Sequence, residues 1–402
     1  MTAKKFTESG IIHGAFQVLL GSLSTILLKI LAEKLSENST GEKSAFNHPF
    51  LESSGQFFFE MLWIIIYWIF RLFHHCYIIC QDEEDQWKDI ESSPDEEEGA
   101  TEARPSPAEK VFSHENGFSY KKSWMLIFPA FTDFCLSSML YMGLSLTTPS
   151  SYQMLRGSAV IFTALLSRMF LGRKLKTYKW FAVVIVAIGV FTVGLSNYSG
   201  QNHSPLGDIL VVGAMLLSSI QVIYEEGMLK SLNLKPIQVL GWEGLYGFTL
   251  SIFVLVVFSY IETNNPTWGH SPVAPYYLED PKDGLIQLYN SPSLMSTYIF
   301  AMIFVSLQVY CGLALTKEVS ANARVILDTV RTLIVWAFSL GLGMETFNVL
   351  QPIGFGLMVT GICLYYDLVF LPLIKKLCKC LCKREEDNST LELNTIEVKS
   401  PN

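Results

Sequence analysis

The sequence predicts an all-α polytopic membrane protein, with ten transmembrane helices in two inverted five-helix repeats. Three observations carry that expectation. Half of the 402 residues are apolar and only 16% are charged, whereas an ordinary soluble domain carries about 25% charged residues. The apolar residues are gathered into runs of about 20, the length that crosses a bilayer as a helix. A pattern of residues near the middle of the chain returns near its end.

The runs, in order, are Ile11–Leu31, Gln56–Phe73, Trp124–Leu144, Ser150–Leu171, Trp180–Leu195, Leu206–Leu229, Ile237–Tyr260, Thr297–Leu315, Ala321–Gly341 and Val349–Leu371. A soluble helical protein of this size would place charges on every exposed turn; these runs carry few. The connection after the fourth run holds Arg173, Lys174, Lys176 and Lys179, and that after the sixth holds Lys230 and Lys235. The C-terminal flank holds Lys375, Lys376, Lys379, Lys383 and Arg384. The alternate connections, 147–149, 197–205 and 342–348, hold no basic residue. Basic residues favour the cytosolic side, so both termini are expected in the cytosol. The first run lacks a small-residue cleavage site and reads as a signal anchor.

The expected organisation is helices 1 and 2 with a lumenal loop over 1–74, then an acidic, disordered cytosolic loop over 75–122. Helices 3–5 follow over 123–196. Helices 6–10 form the second repeat over 206–373, with a lumenal loop at 261–296, and a cytosolic tail covers 374–402. Between Gln81 and Lys110 stand twelve acidic residues against three basic ones. The formal net charge of −8 therefore belongs to that loop, and the remaining chain sits near +1. A nucleic-acid partner would need a basic surface, and eight cysteines in this length are too few for a disulfide scaffold.

Ser151 opens SYQMLRGSAVIFTALLSRMFLGRKLKTYKWFAVVIVAIGVF, and Ala323 opens ARVILDTVRTLIVWAFSLGLGMETFNVLQPIGFGLMVTGICLY. An offset of 172 sets Gly189 on Gly361, Arg156 on Asp328 and Arg173 on Glu345. Two generic Gly-rich helix pairs would give a similar pattern. If the pattern is a repeat, five spans per half is an odd number, so the second half is inverted relative to the first, as in many secondary transporters.

The runs LSLTTPSSYQMLRGSAVIFTALLSRMFLGRKL from Leu144 and LTKEVSANARVILDTVRTLIVWAFSLGLGMETF from Leu315 resemble the drug/metabolite transporter superfamily. Within it they are similar to the solute carrier 35 family, the group of the nucleotide-sugar transporters, and to its F subgroup. GDILVVGAMLLSSIQVIYEEGMLK and VLGWEGLYGF strengthen the match. The resemblance runs from Ile11 to Leu373. It implies ten helices, inverted repeats, alternating access and an endomembrane home: lysosome first, Golgi second, mitochondrial association third.

A charge at mid-bilayer costs about 2.5–3.5 kcal/mol, so it faces a cavity or a partner. Arg324, Asp328 and Arg331 fall at i, i+4 and i+7, on one helix face. That stripe suits an anion, which guanidinium groups hold through a fixed fork of donors; the alternative is that Asp328 only neutralises an arginine, with Arg324 at the cytosolic interface. Arg156, one turn beyond Gln153, is expected to meet Asp328 across the pseudo-twofold axis or else to snorkel from a helix start. Glu243 completes the substrate-binding candidates. Asp133, midway along the third span, is the candidate for proton coupling, with Asp367 read as an end cap. Glu225 and Glu226 read as a solvated helix terminus, and Glu60 and Lys29 as structural.

No phosphate loop, zinc-protease or serine-elbow motif is present, so no enzyme, cofactor or metal is expected. His74, His75, Cys76 and Cys80 read as interfacial residues. Asn38, Asn197 and Asn202 are glycosylation acceptors on the expected lumenal side. Cys378, Cys380 and Cys382 alternate with basic residues as palmitoylation sites do, and Ser92 and Ser93 precede acidic residues as acid-directed phosphorylation sites do. The expected function is secondary transport of a small anionic metabolite, nucleotide sugar or nucleotide first. The alternative is a non-transporting interaction protein that keeps the fold. The expected partners are the lipid bilayer, the solute and a protein that reads the acidic loop; a homodimer is open.

Overall fold

The structure, a computed structural model, describes residues 8–92, 123–147, 149–171, 177–198, 205–232, 234–263, 276–319, 321–341 and 349–365. Helix α1 is Glu8–Glu33 and is followed by an antiparallel hairpin, β1 (Leu35–Glu37) and β2 (Lys43–Ala45), in which Leu35 pairs with Ala45. Gly41 makes the turn at φ +81°, a conformation that costs glycine nothing. Next come α2 (Pro49–Ser92), a single 3-10 turn at Trp124–Leu126, α3 (Ile127–Leu146), α4 (Pro149–Arg156), α5 (Ala159–Leu171), α6 (Thr177–Tyr198), α7 (Pro205–Ser231) and α8 (Pro236–Phe258). The short pair β3 (Glu262–Thr263) and β4 (Tyr276–Tyr277) precedes α9 (Pro281–Asn290), α10 (Pro292–Glu318), α11 (Ala321–Gly341) and α12 (Leu350–Tyr365). Six of these helices open on a proline, which has no N–H to leave unpaired and a φ already set for a helix.

Among the described residues, six helices are long and apolar enough to cross a membrane: α1, α2 as far as Phe73, α3 with its leading turn, α7, α8 and α10. The expected fourth span is two helices. At Gly157 and Ser158 the chain tightens to three-residue bonds, with Gly157 N–H donating to Met154 O at 2.9 Å and Ser158 N–H to Leu155 O at 3.0 Å. Three charged side chains on α11 interrupt its apolar run.

Two expectations need correction. The second span does not give way to a disordered loop at residue 75, because α2 continues to Ser92. No glycine or proline stands between Gly55 and Pro94, so nothing in that stretch ends a helix. The chain is also not wholly α-helical, since the loops at 32–55 and 261–296 contain the two strand pairs, and α9 lies inside the second of them.

Exposed surface is apolar, as a lipid solvent requires. On α6, Phe181, Val184, Ile188, Phe191 and Leu195 form one exposed stripe, while Ala182, Val186 and Val193 on the opposite side are buried. The helices pack in pairs: α1 on α10, α2 on α8, α3 on α7, α4 on α11 and α6 on α12. In the last pair the backbones nearly touch. A Cβ on Gly189 would lie 2.7 Å from Gly354 O, and one on Gly361 would lie 2.8 Å from Ala182 O.

Polar side chains tie the ends of the bundle. Lys29 Nζ donates to Leu144 O at 3.4 Å and Thr147 O at 3.2 Å, closing carbonyls left open at the end of α3. Outside the spans, His48 is enclosed between two acids, with Nδ1 2.9 Å from Glu279 Oε1 and Nε2 3.5 Å from Asp283 Oδ2. Burial alone would push this imidazole down, but hydrogen bonds to Asp283 and Glu279, and their charges, outweigh it and hold the ring at about 9. Burial pushes Asp283 up, but bonds from His48, Ser39 and Gln287 hold it below the usual carboxylate range.

Candidate functional site

A cavity of about 150 Å³ lies inside the bundle. Its wall is built from both halves of the chain. α1 supplies Gln17 and Ser24, α2 supplies Gln56, and α3 supplies Asp133, Ser137 and Tyr141. α4 supplies Tyr152 and Arg156, α7 supplies Gln221, α10 supplies Gln308, and α11 supplies Arg324, Asp328 and Thr332. The break at Gly157 sits on this wall and ends α4 immediately beyond Arg156.

Arg156 donates from Nη1 to the Tyr152 hydroxyl at 3.1 Å and lies over that ring at 5.5 Å. The expected pairing of Arg156 with Asp328 is not formed among the described residues. Asp328 Oδ1 instead accepts from Gln17 Nε2 at 3.2 Å and lies 3.6 Å from Arg331 Nη1. Both residues line the same cavity, but nearer partners on each side satisfy them first. Arg156 therefore has no carboxylate partner among the described residues.

Arg331, 1% exposed, is not part of the wall. It packs against α1, where a Cβ on Gly21 would stand 2.5 Å from its Cδ, and its Nε and Nη2 have no hydrogen-bond partner among the described residues. Arg324 is mostly enclosed and paired: its Nη1 is 3.0 Å from Glu225 Oε2, with side-chain exposures of 16% and 1%. Glu225 is thus not a solvated terminus, because α7 brings it inward against α11. Its neighbour Glu226 does face outward and pairs with Lys230.

Glu243 also lies behind the wall, 1% exposed, among Glu60, Asp133, Glu225 and Arg324. Gln56 Nε2 donates to Glu60 Oε1 at 2.8 Å, and Gln56 Oε1 accepts from the Tyr141 hydroxyl at 2.6 Å. Ser137 Oγ donates to Asp133 Oδ1 at 3.4 Å, and Gln221 bonds both Asp133 and Glu225. Sequence reasoning missed Gln17, Gln56, Gln221 and Gln308. Their signal was an amide within an apolar run or, for Gln56, at its start, which carries no charge to draw attention.

The remaining candidates are not at the cavity. Asn38 is 4% exposed, and its Oδ1 accepts from Thr40 N at 3.0 Å, Thr40 Oγ1 at 2.7 Å and Glu42 N at 2.9 Å, so the folded hairpin uses this amide rather than presenting it. Gln153, Asn197 and Ser92 fall on helices whose backbones alone are described there. Asn202, Ser93, Asp367, Cys378, Cys380 and Cys382 lie outside the described residues. No group of His, Cys, Asp and Glu suited to a metal occurs among the described residues.

Residues 102–265 match the family model of the nucleotide-sugar transporters. The chain is 29% identical over 371 residues to human solute carrier family 35 member F6, covering 90% of each chain. It is 32% identical over 258 residues to an uncharacterised protein of Schizosaccharomyces pombe, covering 63% of this chain and 77% of the other. One solved crystal structure superposes with a TM-score of 0.50 at 14% identity, over 90% of this chain and 98% of that one, a likeness of fold alone.

Proposed function

We propose a function from one premise: the chain belongs to the solute carrier 35 family, in its F subgroup. It is a membrane transporter, and our reading is that it moves a small anionic metabolite across an endomembrane by alternating access. Nucleotide sugars and nucleotides are the first candidates, in keeping with the description of the matching family model. The observation that carries the reading is Arg156 on the wall of an internal cavity with no carboxylate partner among the described residues. A guanidinium held in place by Tyr152 is a ready anchor for phosphate or carboxylate.

The packing supports two inverted repeats. If α1 to α6 form one half and α7 to α12 the other, with α4 and α5 as one broken span and α9 outside the count, a twofold operation exchanges the α1–α10 pair with the α3–α7 pair. It maps α2–α8, α4–α11 and α6–α12 onto themselves. The offset of 172 repeats this at residue level, turning the Gly189–Gly354 contact into Gly361–Ala182, and Met358 into Val186. A cavity of about 150 Å³ is below the roughly 300–1,000 Å³ of ordinary ligand sites, which suits a partly closed member of such a cycle. Asp133, on the wall, is the residue we assign to proton coupling. Both termini are placed in the cytosol, and the lysosomal membrane is the first choice of compartment.

Uptake into proteoliposomes, against a panel of nucleotide sugars, nucleotides and amino acids, tests the reading. Saturable uptake of an anion that is lost in Arg156→Ala and partly kept in Arg156→Lys supports it. If no member of the panel is taken up, the non-transporting alternative takes its place.

A further inference from the structure

We propose that Glu60, Asp133, Glu225 and Glu243 form one buried proton-binding cluster, and that Arg324, shared between the cluster and the cavity wall, sets how tightly its protons are held. The four carboxyls come from four helices, α2, α3, α7 and α8, and converge on a guanidinium of α11. Their exposures are 0%, 7%, 1% and 1%. Each lies within electrostatic reach of Arg324 and of at least one other member.

Counting charge decides their state. One guanidinium faces four carboxyls, and the ion pair it makes at 3.0 Å is spent on Glu225. Glu60 Oε2 and Glu243 Oε1 are buried without a hydrogen-bond partner among the described residues. Ionised, each of these carboxylates would leave one oxygen with neither solvent nor a donor, and Glu60 has only the neutral Gln56 amide on its other oxygen; a buried carboxyl so placed takes up a proton instead. The other groups that pack around the cluster do not supply the missing charge. α10 presents Gly312 to Arg324, where a Cβ would stand 2.8 Å from Nε, and its Tyr310 stacks on Trp63. On α4, Arg156 is engaged with Tyr152. Along α11, Asp328 and Arg331 lie close to each other, and α1 offers the neutral Gln17.

Of the four, Asp133 alone lines the cavity, together with Arg324. Asp133 is therefore the entry point: a hydronium ion in the cavity breaks one O–H bond, its proton forms an O–H bond on the Asp133 carboxylate, and neutral water is left. The consequence for transport rests on the transporter reading above. An anion drawn to Arg324 competes with Glu225 for the guanidinium, and a released Glu225 then takes a proton, so anion and proton enter together.

The test uses the full chain in lipid nanodiscs with the proton as the sole probe. Infrared difference spectra between mildly acidic and mildly alkaline buffer separate protonated carboxyls from carboxylates. The expected result is a protonated-carboxyl band at neutral pH in the wild type, reduced in Asp133→Asn, Glu60→Gln and Glu243→Gln. Arg324→Gln should move the midpoint of its loss upward by about one pH unit, a tenfold change in proton affinity. A wild type with no such band, a band untouched by every substitution, or a midpoint indifferent to Arg324→Gln overturns the proposal. The wild-type spectrum needs no variant to fold. Uptake without the band sinks the cluster and leaves transport standing; the band without uptake of any solute does the reverse.

Discussion

Arg324 of α11 and Glu225 of α7 are joined across the bundle by an ion pair of 3.0 Å, with Glu225 almost wholly enclosed. Removing one partner strands the other, and a stranded buried charge costs about 3–5 kcal/mol. Arg324→Ala should therefore lower the melting temperature of the purified protein far more than Lys230→Ala, whose pair with Glu226 is at the surface. Exchange of the two residues, Arg324→Glu with Glu225→Arg, should recover part of the loss. Equal melting temperatures for the two alanine variants would remove the pair from the list of what holds the bundle together.

The α6–α12 crossing predicts a sharp positional contrast. A side chain at Gly354 would meet Gly189 O at 2.9 Å, while Gly356 has nothing within 4 Å. Gly354→Leu should force the helices apart and abolish the monodisperse peak in fluorescence-detected chromatography. Gly356→Leu, facing lipid, should elute as the wild type does.

The clamp around His48 has a defined pH window. His48 is held at about 9 against an ordinary 6.5, so its contribution is full below about 6.5 and is lost as pH rises through 9. Asp283 is held below its ordinary 3.8, so its contribution is present above that value and is lost as pH falls past it. Between mildly acidic and neutral pH the clamp is intact. Hydrogen exchange over 35–48 and 279–290 should be slow throughout that range and accelerate in alkali. His48→Ala should accelerate it at mildly acidic and neutral pH, by about 3–5 kcal/mol of local stability, and the difference from the wild type should shrink as pH rises through 9.

Asn38 is expected to be unmodified, despite its acceptor sequence, because the residue is buried and the turn fixes its carboxamide through Oδ1. Intact mass before and after peptide N-glycosidase should show no loss assigned to that residue. Asn38→Ala leaves three donors unmet and should cost about 1–3 kcal/mol, read as faster exchange in the hairpin.

What the sequence made legible follows from which forces act locally. The ends of α11 match the apolar run at Ala321–Gly341, and α3 and α7 begin and end within a few residues of theirs, because hydropathy and helix breakers act along the chain. The same rule located the end of α2 wrongly, since charge was read as disorder where helix breakers were lacking. The cavity was partly legible: Arg156, Asp328, Arg324 and Asp133 stand out as charges within apolar runs, whereas the four glutamines do not. Depth is a tertiary property. Glu225 lies beside a polar connection in sequence, and only the packing of α7 on α3 and α11 takes it away from water. His48 and Glu279, 231 positions apart, gave no sign of each other.

The 44 residues of α2 make a rod of about 66 Å at 1.5 Å per residue, roughly twice the hydrocarbon thickness of a bilayer. Its far end carries Asp82, Glu83, Glu84, Asp85, Asp89 and Glu91. A flexible tether would move independently of the apolar part of α2, but a continuous helix couples the two, so any tilt of one end is carried to the other. The acidic segment is thereby a pointer: a protein that grips it would sense, or resist, the rocking of the helix to which it is fused.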